Sequence, residues 1–255
     1  MKKAIQDGLL STYRFLRRRG AFDRPLGRWL FLNAYWTYKT LWEPDIGFLR
    51  RFVRPDDWIV DIGANVGFFS KQFCKWVAGS GRVLAFEPEH ENFRALGQLA
   101  TNRRLNEVLL VRQSLVADSD TTLPLVLNPD NPADHRIGSD GVPTPAVRLD
   151  TIFRSLVWPP VGLLKIDVQG AESLVLSGAQ ETLERSHPAI FIEIDESALH
   201  QFGSSPEEIE QQLSRLGYRM YEASATTLGA PLDASRAKVI RSRLGYADFV
   251  FLARD

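Results

Sequence analysis

The residues from Val60 to Gly67, reading Val-Asp-Ile-Gly-Ala-Asn-Val-Gly, constrain this chain more than any other stretch. An apolar run, Trp58-Ile59-Val60, leads into them, and Phe68-Phe69-Ser70-Lys71-Gln72-Phe73 follows as the start of a helix. A short β-branched run, a glycine turn and a helix make the first βα unit of an open α/β sheet. Gly63 and Gly67 let the backbone turn sharply and approach a ligand with no Cβ in the way. Asp61 sets a carboxylate beside that turn. The question is which ligand it serves.

The rest of the chain alternates. Strands are predicted at 82–86, 108–111, 161–167, 189–193, 218–221 and 248–252, and helices at 68–78, 90–104, 171–185 and 205–216. This alternation predicts an α/β fold, a mostly parallel central sheet with helices on both faces. Ligands of such sheets bind beyond the carboxyl ends of the strands, where the strand order reverses. Asp61, Glu87, Asp167 and Glu193 each interrupt an apolar strand at that end. Four acids at equivalent ends point to a shared ligand crevice rather than four solvated termini. Residues 122–127 read as an extra strand, and 128–141 as a long turn-rich loop of the kind that serves function.

At 255 residues the chain can bury one sizeable core, and its 44% hydrophobic and 24% charged residues are those of a soluble globular protein. A formal net charge of zero supplies no field to draw it to nucleic acid. The lone Cys74 excludes an internal disulfide, no Cys/His cluster has metal-site spacing, and a reducing, cytoplasmic setting is the default. The start is no secretory signal, because Gln6, Asp7, Ser11 and Thr12 break any apolar run. Residues 1–42 nevertheless stand apart from the domain expected over 43–255. Ile5, Leu9, Tyr13 and Leu16 recur at helical spacing among Lys2, Lys3, Arg14, Arg17, Arg18 and Arg19, and Trp29 to Trp36 is rich in aromatics. Such a segment either packs on the main domain with its arginines solvated or rests peripherally on an anionic membrane surface. The packed extension is the expectation.

A dinucleotide turn needs G-x-G-x-x-G, since the second glycine admits the pyrophosphate. Here Asn65 stands where that glycine would be, and Asp61 adds negative charge. Both disfavour a nicotinamide cofactor. They suit a ligand with an ammonium group and no phosphate, which S-adenosylmethionine is. Glu87, ending the second strand, is placed for both ribose hydroxyls, although nicotinamide cofactors use the same device.

Three stretches then carry a resemblance: Val60 to Gly67, Ala85-Phe86-Glu87-Pro88, and Leu164-Lys165-Ile166-Asp167-Val168-Gln169-Gly170-Ala171-Glu172. Together with Arg148-Leu149-Asp150, Val175 to Ala179 and Ile192-Glu193, they make the chain similar to the FkbM family of S-adenosylmethionine-dependent methyltransferases over roughly residues 43–253. The resemblance implies a class I methyltransferase, Rossmann-like fold with an antiparallel last strand. It also implies methyl transfer to a hydroxyl oxygen of a small-molecule or glycan acceptor. This chain departs from the family in having Gln169 where a glutamate is usual.

Within that frame Asp61, Gly63, Asn65, Gly67, Glu87 and Ser114 are expected at the cofactor, Ser114 approaching the adenine from the third strand. The chemistry is an in-line displacement, so the site must align oxygen, methyl carbon and sulfur, and a base near the poorly nucleophilic alcohol helps. Asp167 is the first choice of base and His135 the second. Glu172 either supports its helix or joins the catalytic group, and Lys165, Gln169, Arg136 and Glu193 are expected at the acceptor. Lys165 also shares a strand face with Asp167 at i, i+2, and a lysine inside an apolar strand needs such a partner. Acceptor specificity is expected in loops 127–146 and 222–247. The alternatives are a polyketide- or peptide-type acceptor and a non-catalytic, membrane-docked module.

Overall fold

The computed structural model describes residues 2–20, 25–42, 45–223, 227–242 and 245–254. Two helices, α1 (Lys2–Arg18) and α2 (Pro25–Trp42), come first, followed by a 3-10 turn over Gly47–Phe52. The opening βα units are β1 (Trp58–Ile62), α3 (Phe68–Phe73), β2 (Val83–Phe86), α4 (His90–Ala100) and β3 (Leu109–Arg112). Four strands follow: β4 (Leu115–Val116), β5 (Thr121–Val126), β6 (Arg136–Ile137) and β7 (Val142–Val147). Next come α5 (Leu149–Ser155), β8 (Val161–Ile166), α6 (Glu172–Gly178), α7 (Gln180–Ser186), β9 (Ala189–Asp195), α8 (Glu196–Gln201) and α9 (Pro206–Arg215). The chain closes with β10 (Tyr218–Ala223), β11 (Leu228–Pro231), α10 (Ala234–Arg241) and β12 (Tyr246–Ala253).

The main sheet runs β11-β10-β12-β9-β8-β1-β2-β3. Strands β3, β2, β1, β8 and β9 are parallel, whereas β12 joins β9, β10 joins β12 and β11 joins β10 antiparallel. After β1 the chain steps outward to β2 and β3, then returns to lay β8 on the other side of β1. The strand order therefore reverses between β1 and β8, where Asp61 stands opposite Lys165 and Ile62 opposite Ile166. That crevice is where the fold leaves room for a ligand.

Central strands are apolar on both sides because both faces are covered. Val60, Leu84, Leu164 and Ile190 pack on one side against Phe153, Val175, Leu183, Ile209 and Leu213. Ile59, Val83, Leu163 and Phe191 pack on the other against Leu49, Phe73 and Leu96. The helices carry their own start signals: Glu89 caps α4 by accepting from the Asn92 N–H, and Ser205 caps α9, whose first residue is Pro206.

Three departures from the sequence reading matter for the site. The stretch read as one strand and a loop is a second sheet, β4-β7-β5-β6, with β5 and β7 antiparallel and Pro124 opposite Pro143. The helix expected over 171–185 is two, broken at Ala179, where a Cβ on Gly178 would lie 1.9 Å from the Ala117 carbonyl oxygen of the small sheet. The stretch expected as a loop over 222–247 contains β11 and α10, with residues 224–226 and 243–244 outside those described.

The N-terminal pair packs on the domain. The Trp36 ring lies 5.6 Å from Phe68, Lys71 Nζ sits 4.8 Å over Trp36, and Tyr13 of α1 meets Phe31 of α2 at 5.0 Å. Among the described residues no helix is long and apolar enough to cross a membrane.

Candidate active site

Gly63 and Gly67 bracket the turn after β1, with φ of 75° and 86°. A Cβ on Gly63 would sit 1.9 Å from the Asp167 carbonyl oxygen, and one on Gly67 would sit 2.8 Å from Leu96 and Leu99 methyls. Asn65 between them is also left-handed, at φ 51°, and its Oδ1 accepts from the Val66 N–H at 2.7 Å. An asparagine tolerates that conformation because its short amide bonds the local backbone. The turn is thereby fixed without the second glycine that a pyrophosphate would need.

A cavity of about 430 Å³ opens over this turn and the ends of β1, β2, β8 and β9. Ten of the thirteen residues singled out from the sequence line it: Gly63, Asn65, Glu87, Ser114, His135, Arg136, Lys165, Asp167, Gln169 and Glu193. Asp61, Gly67 and Glu172 do not line it. Asp61 is fully buried and accepts a hydrogen bond from Ser70 Oγ at 2.6 Å. Its other oxygen lies 3.2 Å from Lys165 Nζ, an ion pair off the hydrogen-bonding angle. The expectation that Asp61 meets the cofactor directly is corrected: its carboxylate is spent on Lys165.

Lys165 in turn donates to the Gly63 carbonyl at 2.8 Å and lies 3.3 Å from Asp167 Oδ2. The ammonium thus makes one hydrogen bond, to Gly63, and two ion pairs, to Asp61 and Asp167. Its expected place at the acceptor therefore gives way to the pairing with Asp167, and it binds the turn after β1 to the end of β8. Burial by itself would lower the lysine's pKa, but the charges of Asp61 and Asp167 outweigh it and hold the group above its ordinary value.

Glu87 stands at the end of β2, nearly buried, with Oε2 accepting from the Asn65 N–H at 2.8 Å and Oε1 from the Glu89 N–H at 3.0 Å. Burial pushes its pKa up to about 7, against the two backbone donors that pull it down. Ser114 is 6% exposed, and among the described residues its Oγ has no hydrogen-bond partner although it lines the cavity. An orphaned hydroxyl, a glycine-walled turn and a strand-end carboxyl fit an adenosine with an ammonium-bearing tail. That is the donor set S-adenosylmethionine needs.

The remaining wall is acidic. Asp167 is 36% exposed at the side chain and faces the cavity. Gln169, left-handed at φ 44°, donates from Nε2 to Glu193 Oε1 at 3.2 Å. Burial, then the neighbouring Asp167 and Asp248 charges, hold Glu193 well above the carboxylate range, with Lys39 opposing them. Glu172 lies beneath this wall, 2% exposed, accepting from the Gly170 N–H at 3.1 Å. Burial pushes it up to about 7. It shapes the 167–172 turn and does not reach the cavity, which corrects its expected place among the catalytic groups.

His135 Nδ1 accepts from the Asn128 N–H at 3.0 Å. The neutral ring then carries its proton on Nε2, which does not suit the base role expected of it. Arg136 donates to Asp134 Oδ1 and Gln201 Oε1, both at 2.7 Å, which ties this loop to α8. The Pro132 carbonyl accepts from Asn92 Nδ2 at 2.8 Å, pinning the same loop over α4.

Sequence reasoning missed one side of the cavity altogether. Phe31, Tyr35, Tyr38 and Lys39 of α2 line it, with Asp195, Tyr246 and Asp248 from the far side. The spacing of Phe31, Tyr35 and Tyr38, four residues and then three, is a helical face legible in the sequence.

Three comparisons bear on this arrangement. The family model described as Methyltransferase FkbM domain matches residues 61–220. The chain is 31% identical over 159 residues to methyltransferase sdnD of Sordaria araneosa, covering 48% of this chain and 60% of that protein. It is 29% identical over 185 residues to the 31-O-demethyl-FK506 methyltransferase FkbM of Streptomyces tacrolimicus, covering 58% of this chain and 70% of that protein. The crystal structure of methyltransferase FkbM from Methylobacillus flagellatus KT superimposes with a TM-score of 0.50 at 16% identity, over 78% of this chain and 44% of that one. The chain thus spans less than two thirds of sdnD and under half of the Methylobacillus protein. The strand order 3-2-1-4-5 with an antiparallel edge is the class I methyltransferase arrangement, and by the family match over more than half its length this chain belongs to the FkbM methyltransferase family.

Proposed function

We propose that the chain transfers a methyl group from S-adenosylmethionine to a hydroxyl oxygen of a small-molecule acceptor, a sugar ring or glycosylated metabolite. The observation that carries this reading is the common cavity: Gly63, Asn65, Glu87, Ser114 and Asp167 all line it. In the proposed site Glu87 accepts from the ribose hydroxyls, Ser114 meets the adenine, and the Gly63–Gly67 turn receives the methionine portion. S-adenosylmethionine supplies the electrophilic methyl, and the chain supplies alignment and a place for the proton. Asp167, fixed by Lys165, accepts the acceptor's hydroxyl proton as the oxygen attacks.

The sugar reading rests on the opposite walls. Phe31, Tyr35, Tyr38, Phe68 and Phe69 give aromatic faces, and Asp167, Gln169, Glu193 and Asp248 give polar groups that suit adjacent ring hydroxyls. The name of the Streptomyces relative specifies an oxygen acceptor on a secondary metabolite, which supports O-methylation and leaves a metabolite core as the second acceptor class.

Calorimetry with S-adenosylhomocysteine tests the cofactor. Micromolar binding that Glu87→Ala weakens at least tenfold supports the reading, and silence at millimolar ligand sinks it. Asp167→Asn tests the base: it is expected to leave that binding within about twofold and to cut methyl transfer by roughly 10²-fold or more. Equal transfer by the variant removes Asp167 from the role.

A further inference from the structure

The inner face of α2 belongs to the cavity, and among the described residues nothing covers its outer face. Leu26, Leu30 and Leu41 are 67%, 54% and 69% exposed there, and Ala34, Thr37 and Thr40 are exposed beside them. These positions recur every three or four residues, so they form one stripe along the helix. Among the described residues no charged side chain lies in the stripe, and Asn33, exposed within it, brings an amide. The threonine hydroxyls bond back to the helix: Thr37 Oγ1 donates to the Asn33 carbonyl and Thr40 Oγ1 to the Trp36 carbonyl, each at 2.8 Å. Both hydroxyls are thereby satisfied within the helix, an arrangement suited to an apolar medium. Lys39, on the same helix, is drawn to the opposite side, over the Tyr35 and Phe69 rings.

Charge says what the stripe meets. Residues 1–42 hold nine lysines and arginines against two aspartates, a formal +7 that the remainder of this zero-charge chain balances. Arg14 and Arg18 of α1, and Arg19 just after it, are exposed around Phe15, itself 58% exposed, with the Arg19 guanidinium 5.2 Å over its ring. The exposed leucines of α2 and the arginine-bordered Phe15 of α1 supply the two components of an interfacial helix pair: apolar side chains for the acyl boundary and cations for acidic headgroups. A nucleic acid would use the arginines and leave the leucine stripe wet.

We propose that the outer face of the α1–α2 pair docks on the surface of an anionic lipid bilayer. Because the other side of α2 walls the cavity, docking sets the acceptor site about one helix diameter, roughly 10 Å, from the headgroups. Acceptors confined to that surface then reach it without leaving the interface.

The test is co-sedimentation of the full-length protein with phosphatidylcholine vesicles, with and without about 30% phosphatidylglycerol. Sedimentation with the anionic vesicles alone, falling as salt rises from about 50 mM to about 500 mM, is the expected result. The triple change Leu26→Ser, Leu30→Ser, Leu41→Ser should lower the bound fraction roughly fivefold or more, with an unchanged melting temperature. Arg14→Gln with Arg18→Gln and Arg19→Gln should do the same by a different route. Protein that stays in the supernatant at low salt overturns the proposal, as does equal binding to neutral vesicles. A dimer in light scattering that the leucine changes dissolve also overturns it, and assigns the face to a second copy of the chain.

Discussion

Lys165 decides whether the floor of the site holds together. Its ammonium is the shared partner of a fully buried carboxylate, a cavity carboxylate and the carbonyl of the glycine turn. Removing one member of a buried ion pair leaves the other charge uncompensated, at a cost of about 3–5 kcal/mol. Lys165→Met is therefore expected to destabilise by that order in urea unfolding, and adding Asp61→Asn should restore part of the loss. Equal stability of the single variant and the wild type would remove Lys165 from this role. Glu172 makes the complementary case, because its folded pKa of about 7 exceeds the ordinary carboxylate value of 4.5. The folded state holds a proton that the unfolded state has lost, so stability falls as pH rises from about 4.5 to about 7 and is flat above. Glu87 acts in the same sense and window. Glu172→Gln keeps an acceptor for the Gly170 N–H, so its stability, measured by denaturant titration at pH 5 and pH 8, should vary less with pH than that of the wild type. Sequence pattern located Asp61, Glu87, Asp167 and Lys165 because acids and a lysine are conspicuous in apolar strands. It also offered Asp167 as the partner of Lys165, two residues along the strand, but not the distant one: Lys165 meets the Gly63 carbonyl 102 residues earlier in the chain, and no local spacing encodes that.

At the scale of elements, the two glycines of the turn differ in what surrounds them. At Gly63 a Cβ would meet backbone, the Asp167 carbonyl, which has nowhere to go. At Gly67 it would meet the methyls of Leu96 and Leu99, which can shift. Both also have positive φ, which costs an alanine about 1–2 kcal/mol. Gly67→Ala should therefore lose about 2 kcal/mol and retain S-adenosylhomocysteine binding. Gly63→Ala should lose more than 3 kcal/mol and bind none. Calorimetry on the two purified variants checks the ranking, and the reverse order would contradict the packing described. The legibility of elements follows the same physics. The parallel strands were readable because they are buried on both faces and so written as continuous apolar runs. Of the small sheet only β5 was, as the extra strand expected over 122–127, since β4 and β6 are two residues long and β7 carries Pro143 and Pro145. Proline in a run argues against a strand; in β7 both prolines lie at exposed positions. The Ala179 break was equally silent, being imposed by the close approach of Gly178 to the small sheet.

For the molecule as a whole, the packing separates what the N-terminal helices stabilise from what they serve. Neither of the two large core clusters on the faces of the main sheet contains a described residue before Ile46. The contacts of α2 with the domain are instead rings and cations at the rim, Trp36 on Phe68 and Lys71 over Trp36, in the range of about 1 kcal/mol each. Deleting residues 1–42 should therefore leave a cooperative domain with a melting temperature lowered by only a few degrees. The same deletion removes Phe31, Tyr35, Tyr38 and Lys39 from the cavity wall, while every residue proposed to hold the cofactor remains. Its expected signature is a split: S-adenosylhomocysteine affinity within about tenfold of the full chain, since the lost wall is a remote part of that site, but methyl transfer reduced far more because the acceptor has lost one side. Calorimetry and transfer rates on the same truncated preparation measure the two together. A parallel fall in both would mean that α2 serves the cofactor, and a truncated chain that does not fold would show that the rim contacts carry more of the stability than their geometry implies.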